Sequence, residues 1–279
     1  MADTVDVDAY LQRIGYNGNR QPTLAVLRDV ILRHTLTIPF ENLDPLLRRP
    51  VNLDLQSLQE KMVRCGRGGY CFEQNLLLGS VLRALGYHVT DLAARVVWNG
   101  AAGAVRPRTH MLMQIDLKED GSTVPYIVDV GFGGMVLSGP VRLAPDIEQP
   151  TPHEPFRLTK HEDSFMLQAL IREKWSSLYQ FDLQPQSLAD YEMANWYVSN
   201  HPQSPFVTSL MAARLTVDRR YALFNNQLSI HHLRGESEQR TIVSAAELRT
   251  LLETTFGLSL PDTPDPASAL ERIVSSSGA

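Results

Sequence analysis

Cysteine is scarce in this chain. Only Cys65 and Cys71 occur among 279 residues. That is too few for a disulfide framework, and the chain is too large to depend on one bridge. Their spacing, with five residues between and no histidine close in sequence, suits zinc poorly, so no metal is expected. No run of about 18 apolar residues is present to span a membrane. No basic cluster offers a nucleic-acid surface, and the formal net charge is -5. The stretch Met1-Ala2-Asp3-Thr4-Val5-Asp6 is acidic and lacks the basic and apolar parts of a signal peptide. These absences predict a reduced, cytoplasmic protein with neither membrane nor nucleic-acid partner. Oligomeric state stays open. The composition that remains, 43% hydrophobic and 20% charged, is that of a globular protein. Its length calls for two or three subdomains.

Periodicity divides the chain. Residues 1–86 read as mostly helical, with apolar stripes over Ala9–Ile14, over Leu24, Leu27, Val30 and Ile31, over Leu55–Val63, and from Cys71 to Leu85. Pro39 to Pro45 breaks the second and third stripes apart. Residues 87–98 turn β-branched and aromatic. His110–Leu117 and Tyr126–Val130 read as a hairpin with a longer loop over Lys118–Ser122. Strand-like segments follow at Phe156–Thr159, Phe165–Ile171 and Ser177–Leu183, which suggests an antiparallel sheet or barrel. Residues 187–199 return to helix. Three or four short strands lie between Thr208 and Val243. Two helices close the chain, one behind a Ser244–Glu247 capping box and one from Asp265-Pro266, before a frayed Ser275–Ala279. The expected units are 1–86, 87–186 and 187–279.

The stretch Arg67-Gly68-Gly69-Tyr70-Cys71-Phe72-Glu73-Gln74-Asn75 stands out. Apolar residues at 78, 81, 82 and 85, ending at Gly86, place Cys71 in the first turn of a helix entered through a Gly-Gly loop. A thiolate is the nucleophilic form of cysteine, and a helix N-terminus favours negative charge. The glycines permit close approach of backbone to a substrate. The same features also fit a buried core cysteine after an ordinary loop.

A cysteine nucleophile needs a base, and the base an orienting group. Of eight histidines, His34 reads as structural and His88 fits either role. His153 and His161 read as exposed, His201 sits in a loop, and His231 and His232 point to opposite faces of a strand. His110 begins a strand after a loop bearing Arg106-Pro107-Arg108-Thr109, where site residues gather; it also fits a solvated strand end. Asp129 lies among Ile127, Val128 and Val130, so it needs a partner. A cross-strand His110 is one candidate, and Arg95 or Arg108 another.

These residues carry a resemblance. Arg67–Asn75 resembles the R-G-G-x-C-x-E-x-N signature of the arylamine N-acetyltransferases. Phe40-Glu41-Asn42-Leu43-Asp44, Thr109-His110 and Val128-Asp129-Val130-Gly131-Phe132-Gly133 agree and fall in family order, so the likeness spans essentially the whole chain. It implies an α+β fold with a helical N-terminal domain, a central antiparallel β-barrel and a C-terminal α/β lid, around a core similar to that of papain-like proteases and transglutaminases. It implies a triad of Cys71, His110 and Asp129, and ping-pong acetyl transfer from acetyl-CoA to arylamines, hydrazines or hydroxylamines. Substrate contacts are implied at Phe40, Val97, Phe132 and Phe206, and coenzyme A contacts at Thr109, Gly131, Gly133 and Gly134; core packing is the other role open to each phenylalanine. Glu41, Glu73 and Arg67 are expected to form a buried ion-pair network. Two rival readings are another Cys-His-Asp acyltransferase, amidase or peptidase, and a binding protein that kept the fold.

Overall fold

The computed structural model describes residues 4–100, 105–260 and 264–276. Helices α1 (Val7–Arg13) and α2 (Leu24–Thr37) begin at Asp6 and Thr23, whose side chains accept amide hydrogens of the first turn. Strand β1 (Phe40–Glu41) and the single turn α3 (Leu43–Leu46) occupy the proline-bounded break. The helix expected over Leu55–Val63 differs. It is α4 (Leu55–Gln59), followed by a π-helical turn over Glu60–Arg64. That wider turn accompanies the inward placement of Lys61 described below. Helix α5 (Cys71–Ala84) stops where Gly86 takes a φ of 89°.

Strands β2 (His88–Val96), β3 (His110–Glu119), β4 (Ser122–Val128), β5 (Val141–Arg142), β6 (Phe156–His161), β7 (Ser164–Ile171) and β8 (Lys174–Phe181) form one antiparallel sheet. Its order is β5-β4-β3-β2-β8-β7-β6. Bridges from Pro145 to Leu158 and from Gln149 to Phe156 join its two ends, so the sheet nearly closes into a barrel. The period of two along the strands sorts the side chains. Leu92, Ala94, Leu112 and Ile127 pack inside with Phe156 and Tyr179. Ala93, Met111, Met113 and Val128 face outward and pack with Phe72, Leu77 and Leu78 of α5. Both faces are apolar because a helix covers the outer one.

The third part carries α6 (Leu188–Asn200), α7 (Pro205–Thr208) and β9 (Met211–Leu215) to β12 (Glu238–Thr241) through β10 (Arg219–Phe224) and β11 (Gln227–His232). Strand β1 joins these as the edge of a five-stranded sheet, pairing Phe40 with Ala213. Helices α8 (Ala245–Thr254) and α9 (Pro264–Ser276) pack beneath. Ser244 caps α8 as expected, but Glu247 reaches back to the Val243 amide instead of that of Ser244. Helix α9 runs through Ser276, and the remainder of the expected frayed end lies outside the described residues. Among the described residues no helix is long and apolar enough to cross a membrane.

The β3–β4 connection is shorter than its sequence suggests. Pairing continues to Glu119 and Ser122, which leaves only Asp120 and Gly121 in the turn. Both have positive φ, 47° and 81°, the mark of a type I′ turn that suits the right-handed strand twist. Nothing lies within 4 Å of where a Gly121 side chain would start. Replacement there therefore tests backbone conformation alone. Gly121→Val should cost roughly 1–2 kcal/mol, read as a lower urea midpoint with an unchanged m-value.

Candidate active site

The nucleophile candidate is set by what surrounds the start of α5. A Cβ on Gly68 would sit 2.1 Å from the Pro39 carbonyl oxygen, so that position admits no side chain. Gly69 exchanges backbone hydrogen bonds with the Pro39–Glu41 segment. The Gln74 amide donates to the carbonyls of Gly69 and Pro39, at 2.7 and 3.2 Å. His34 Nε2 donates to Gln74 Oε1, and the Tyr10 hydroxyl donates to His34 Nδ1. Burial holds the His34 pKa down to about 4, so the ring is neutral and structural.

A buried charge cluster secures the same turn. Lys61 Nζ lies 2.6 Å from both Asp44 and Glu73. Arg67 pairs with Glu41 at 2.7 Å and with Asp44 at 3.2 Å. The free oxygen of Glu73 accepts the Tyr70 amide at 3.0 Å. Two cations thus face three carboxylates. Burial pushes the Glu73 carboxyl up and Lys61 only partly offsets this, whereas Lys61 and Arg67 outweigh burial at Asp44 and hold it down. Sequence suggests Arg67, Glu41 and Glu73 for this network; Asp44 stands out only as part of the Phe40–Asp44 stretch, and Lys61 carries no recognisable signal.

His110 and Asp129 meet across the β3–β4 hairpin. His110 Nε2 donates to Asp129 Oδ2 at 2.6 Å, with both side chains buried. They are not directly opposed. The ladder ends with Met113 against Val128, which puts Asp129 one residue past its strand and diagonal to His110. The carboxylate's other oxygen accepts from Asn75 Nδ2 at 3.0 Å and from the Gly131 amide at 2.9 Å. Asn75 also donates to the Met111 carbonyl and accepts from the Val130 amide, so one side chain of α5 ties both strands. Arg95 and Arg108 are engaged elsewhere, with the Arg106 carbonyl and with Asp182.

Cys71 closes the line. Its thiol donates to the Thr109 carbonyl at 3.7 Å, and it lies close enough to His110 to help hold the ring's proton. With Nε2 given to Asp129, Nδ1 is the ring nitrogen left for the sulfur. Burial alone would lower the His110 pKa, but the charge and hydrogen bond of Asp129, with Cys71 adding, lift it to about 10. Burial likewise pushes Asp129 up, and His110, Asn75 and the Gly131 amide overcome that and hold it low.

The expected binding residues fall into two groups. Phe40 and Phe206 meet edge to face at 6.2 Å, and Tyr70 joins Phe206 at 5.3 Å. Phe132 stands edge-on to His110 at 5.1 Å, beside Tyr179. Val97 is half-buried and anchored by its amide to the Leu178 carbonyl, with the strand ending just before it. The Gly131 amide is already spent on Asp129, and a Cβ there would lie 2.5 Å from the Cys71 Cα. Gly133 presses on the Phe40 ring. Beside Thr109 opens a groove of about 330 Å³, walled by Ala93, Arg108, Tyr191, Met193 and Tyr197. Tyr179 was missed by sequence. Its hydroxyl is buried without a well-formed hydrogen bond and faces Asp129; burial first, then that charge, raises its pKa. His153, expected to be exposed, is half-buried and donates to the Thr216 carbonyl.

Two outcomes are expected. Lys61→Met leaves buried carboxylates unmatched and should cost roughly 3–5 kcal/mol in urea unfolding at pH 7. The imidazole of His110 should stay protonated at pH 8, seen by its ring nitrogen shifts in NMR, and Asp129→Asn should move its titration down. Because folding raises this pKa, from 6.5 to about 10, the pair's stabilisation is complete below pH 6.5 and is lost as pH climbs through 10. The stability gap between wild type and Asp129→Asn should shrink over that window. A wild-type ring that deprotonates near its ordinary value would refute the assignment.

Known proteins resemble the chain over nearly its whole length. An N-acetyltransferase family profile matches residues 23–264. Arylamine N-acetyltransferase of Mycobacterium tuberculosis is 45% identical over 271 residues, covering 96% of this chain and 95% of its own. Its solved structure superposes with a TM-score of 0.89 over 96% of this chain and 99% of that one. The Mycobacterium marinum arylamine N-acetyltransferase, solved in complex with CoA, is 41% identical with a TM-score of 0.89, covering 97% and 99% of the two chains. With that profile and these relatives over nearly its full length, the chain belongs to the arylamine N-acetyltransferase family of acyltransferases.

Proposed function

We propose that this chain acetylates arylamines, arylhydrazines and arylhydroxylamines from acetyl-CoA, by a ping-pong route through acetyl-Cys71. The observation that carries this is the buried grouping of Cys71, at the first turn of α5, with His110 and Asp129, whose side chains hydrogen-bond at 2.6 Å. Cys71 is the nucleophile, His110 the acid and base, and Asp129 the orienting group, in a core like that of papain-like proteases. The relative solved with CoA supports the donor.

The Cys71 thiolate attacks the thioester carbonyl beside an imidazolium held charged by Asp129. The C–S bond to coenzyme A breaks, and His110 gives its proton to the departing thiolate. The arylamine, weakly basic and unprotonated at neutral pH, attacks the new thioester. His110 takes its proton as Cys71 leaves. Phe40, Val97, Phe132 and Phe206 hold the aromatic acceptor, and the groove beside Thr109 admits it. Thr109, Gly131, Gly133 and Gly134 flank the donor; Gly131 contributes by lacking a side chain, since its amide serves Asp129. In this reading residues 1–86 bring the nucleophile, 87–186 the base and acid, and 187–279 a lid, in a cytoplasmic enzyme that keeps Cys71 reduced.

Intact-protein mass tests the scheme. Wild type incubated with acetyl-CoA should gain about 42 Da, one acetyl group, and lose it when an arylamine is added. Cys71→Ala should gain nothing. A wild type that takes no acetyl, with Cys71 accessible to alkylation, would point instead to a different acyl donor or to amide hydrolysis.

A further inference from the structure

Arg220 is the largest side chain with almost no exposure, 1%, and the triad makes no use of it. It lies on β10, yet its guanidinium reaches the loop that follows Asp129. One edge meets Glu154, with Nε 2.9 and 2.7 Å from the two carboxylate oxygens. The other edge donates to the carbonyls of Gly134 at 3.3 Å and Val136 at 3.1 Å. Glu154 already balances the charge, so the two carbonyl contacts do something further: they fix a backbone. A planar fork is needed for this, because a lysine ammonium cannot face a carboxylate and two carbonyls in one plane.

The backbone so fixed is the far end of one short run. Asp129 begins it, the Gly131 amide turns back to Asp129, Phe132 stands edge-on to the His110 ring, and Gly133 adopts a φ of 70°. Gly134 and Val136 end it in the grip of Arg220. The chain beside Glu154 is itself strapped to the turn between β9 and β10, since the neighbouring His153 donates to the Thr216 carbonyl at 2.8 Å. We propose that Arg220, with Glu154, is a positioning residue for His110: it anchors the Asp129–Val136 run and so sets the imidazole's orientation toward Cys71. This rests on reading Cys71 and His110 as nucleophile and base.

Iodoacetamide provides the test, because it needs no acyl donor. Alkylation rates of Cys71 across pH, separated from Cys65 by peptide mass, would be compared in wild type, Arg220→Lys, Arg220→Met and Leu228→Ala. Leu228 is buried in the same sheet, in the apolar cluster with Leu210, Leu223 and Leu252 that excludes Cys71 and His110, so it reports simple destabilisation. Both Arg220 variants should slow Cys71 alkylation at pH 7 by roughly tenfold or more and displace its pH profile. Leu228→Ala should lower the unfolding midpoint and keep the wild-type profile. If Arg220→Met does not fold, Arg220→Lys decides. Arg220 profiles that superpose on wild type, or a Leu228→Ala variant slowed equally, would overturn the proposal. A chain that alkylates as expected but never accepts acetyl keeps this inference and loses the donor assignment.

Discussion

A carboxylate with no exposure governs this architecture. Asp129 loses its water entirely on folding, and an ionised group so placed survives only with partners on every side. It finds them in three segments: His110 on β3, Asn75 on α5, and the amide of Gly131 two residues ahead. Each partner can reach it only if the nearly closed barrel, the helix lying on it and the loop leaving it are all assembled. The charge that would sustain an imidazolium at neutral pH is therefore also a reason for the three elements to meet. Stability and the protonation of His110 draw on one group here.

The helix that carries Cys71 is held with comparable force from below. Lys61 and Arg67 gather Glu41, Asp44 and Glu73, and Glu73 secures the amide just ahead of the cysteine. Gly68 and Gly131 bring backbone against backbone on either side, at distances that no side chain would allow. Cys71 thus rests on a firmly packed support although it follows two glycines. Their role here is close packing more than flexibility. Phe40 and Phe206 on one side, and Phe132 with Tyr179 on the other, complete a mostly apolar surround in which the hydrogen bonds of His110 and Asp129 gain strength.

Much of this was legible in the chain. The order of helices, strands and mixed elements follows from periodicities of 3.6 and 2, and the Gly-Gly-x-Cys stretch announced its helix. Alternation put Asp129 on the face away from Val128, which the barrel interior confirms. What escaped depended on partners distant in sequence. Tyr179 approaches His110 from a strand some seventy positions on, and Lys61 is drawn inward by acids on three other segments; neither leaves a local pattern. The π-helical turn at Glu60–Arg64 interrupts a stripe that reads as unbroken helix. The hairpin turn reads as longer than it is because Lys118 to Ser122 is polar throughout, and only the Asp-Gly pair within it marks the crossing.

That turn has a reach well beyond its own two residues. It is the ruler that sets the pairing of β3 with β4, and it lies at the opposite end of the hairpin from His110 and Asp129, roughly 30 Å away at the usual rise per strand residue. Successive strand residues alternate between the barrel lumen and its outer wall, so a slip of one position would send the imidazole outward and leave a methionine in its place. A fault in counting at a solvent-washed corner would silence chemistry on the far side of the barrel while leaving most of the fold's apolar surface buried.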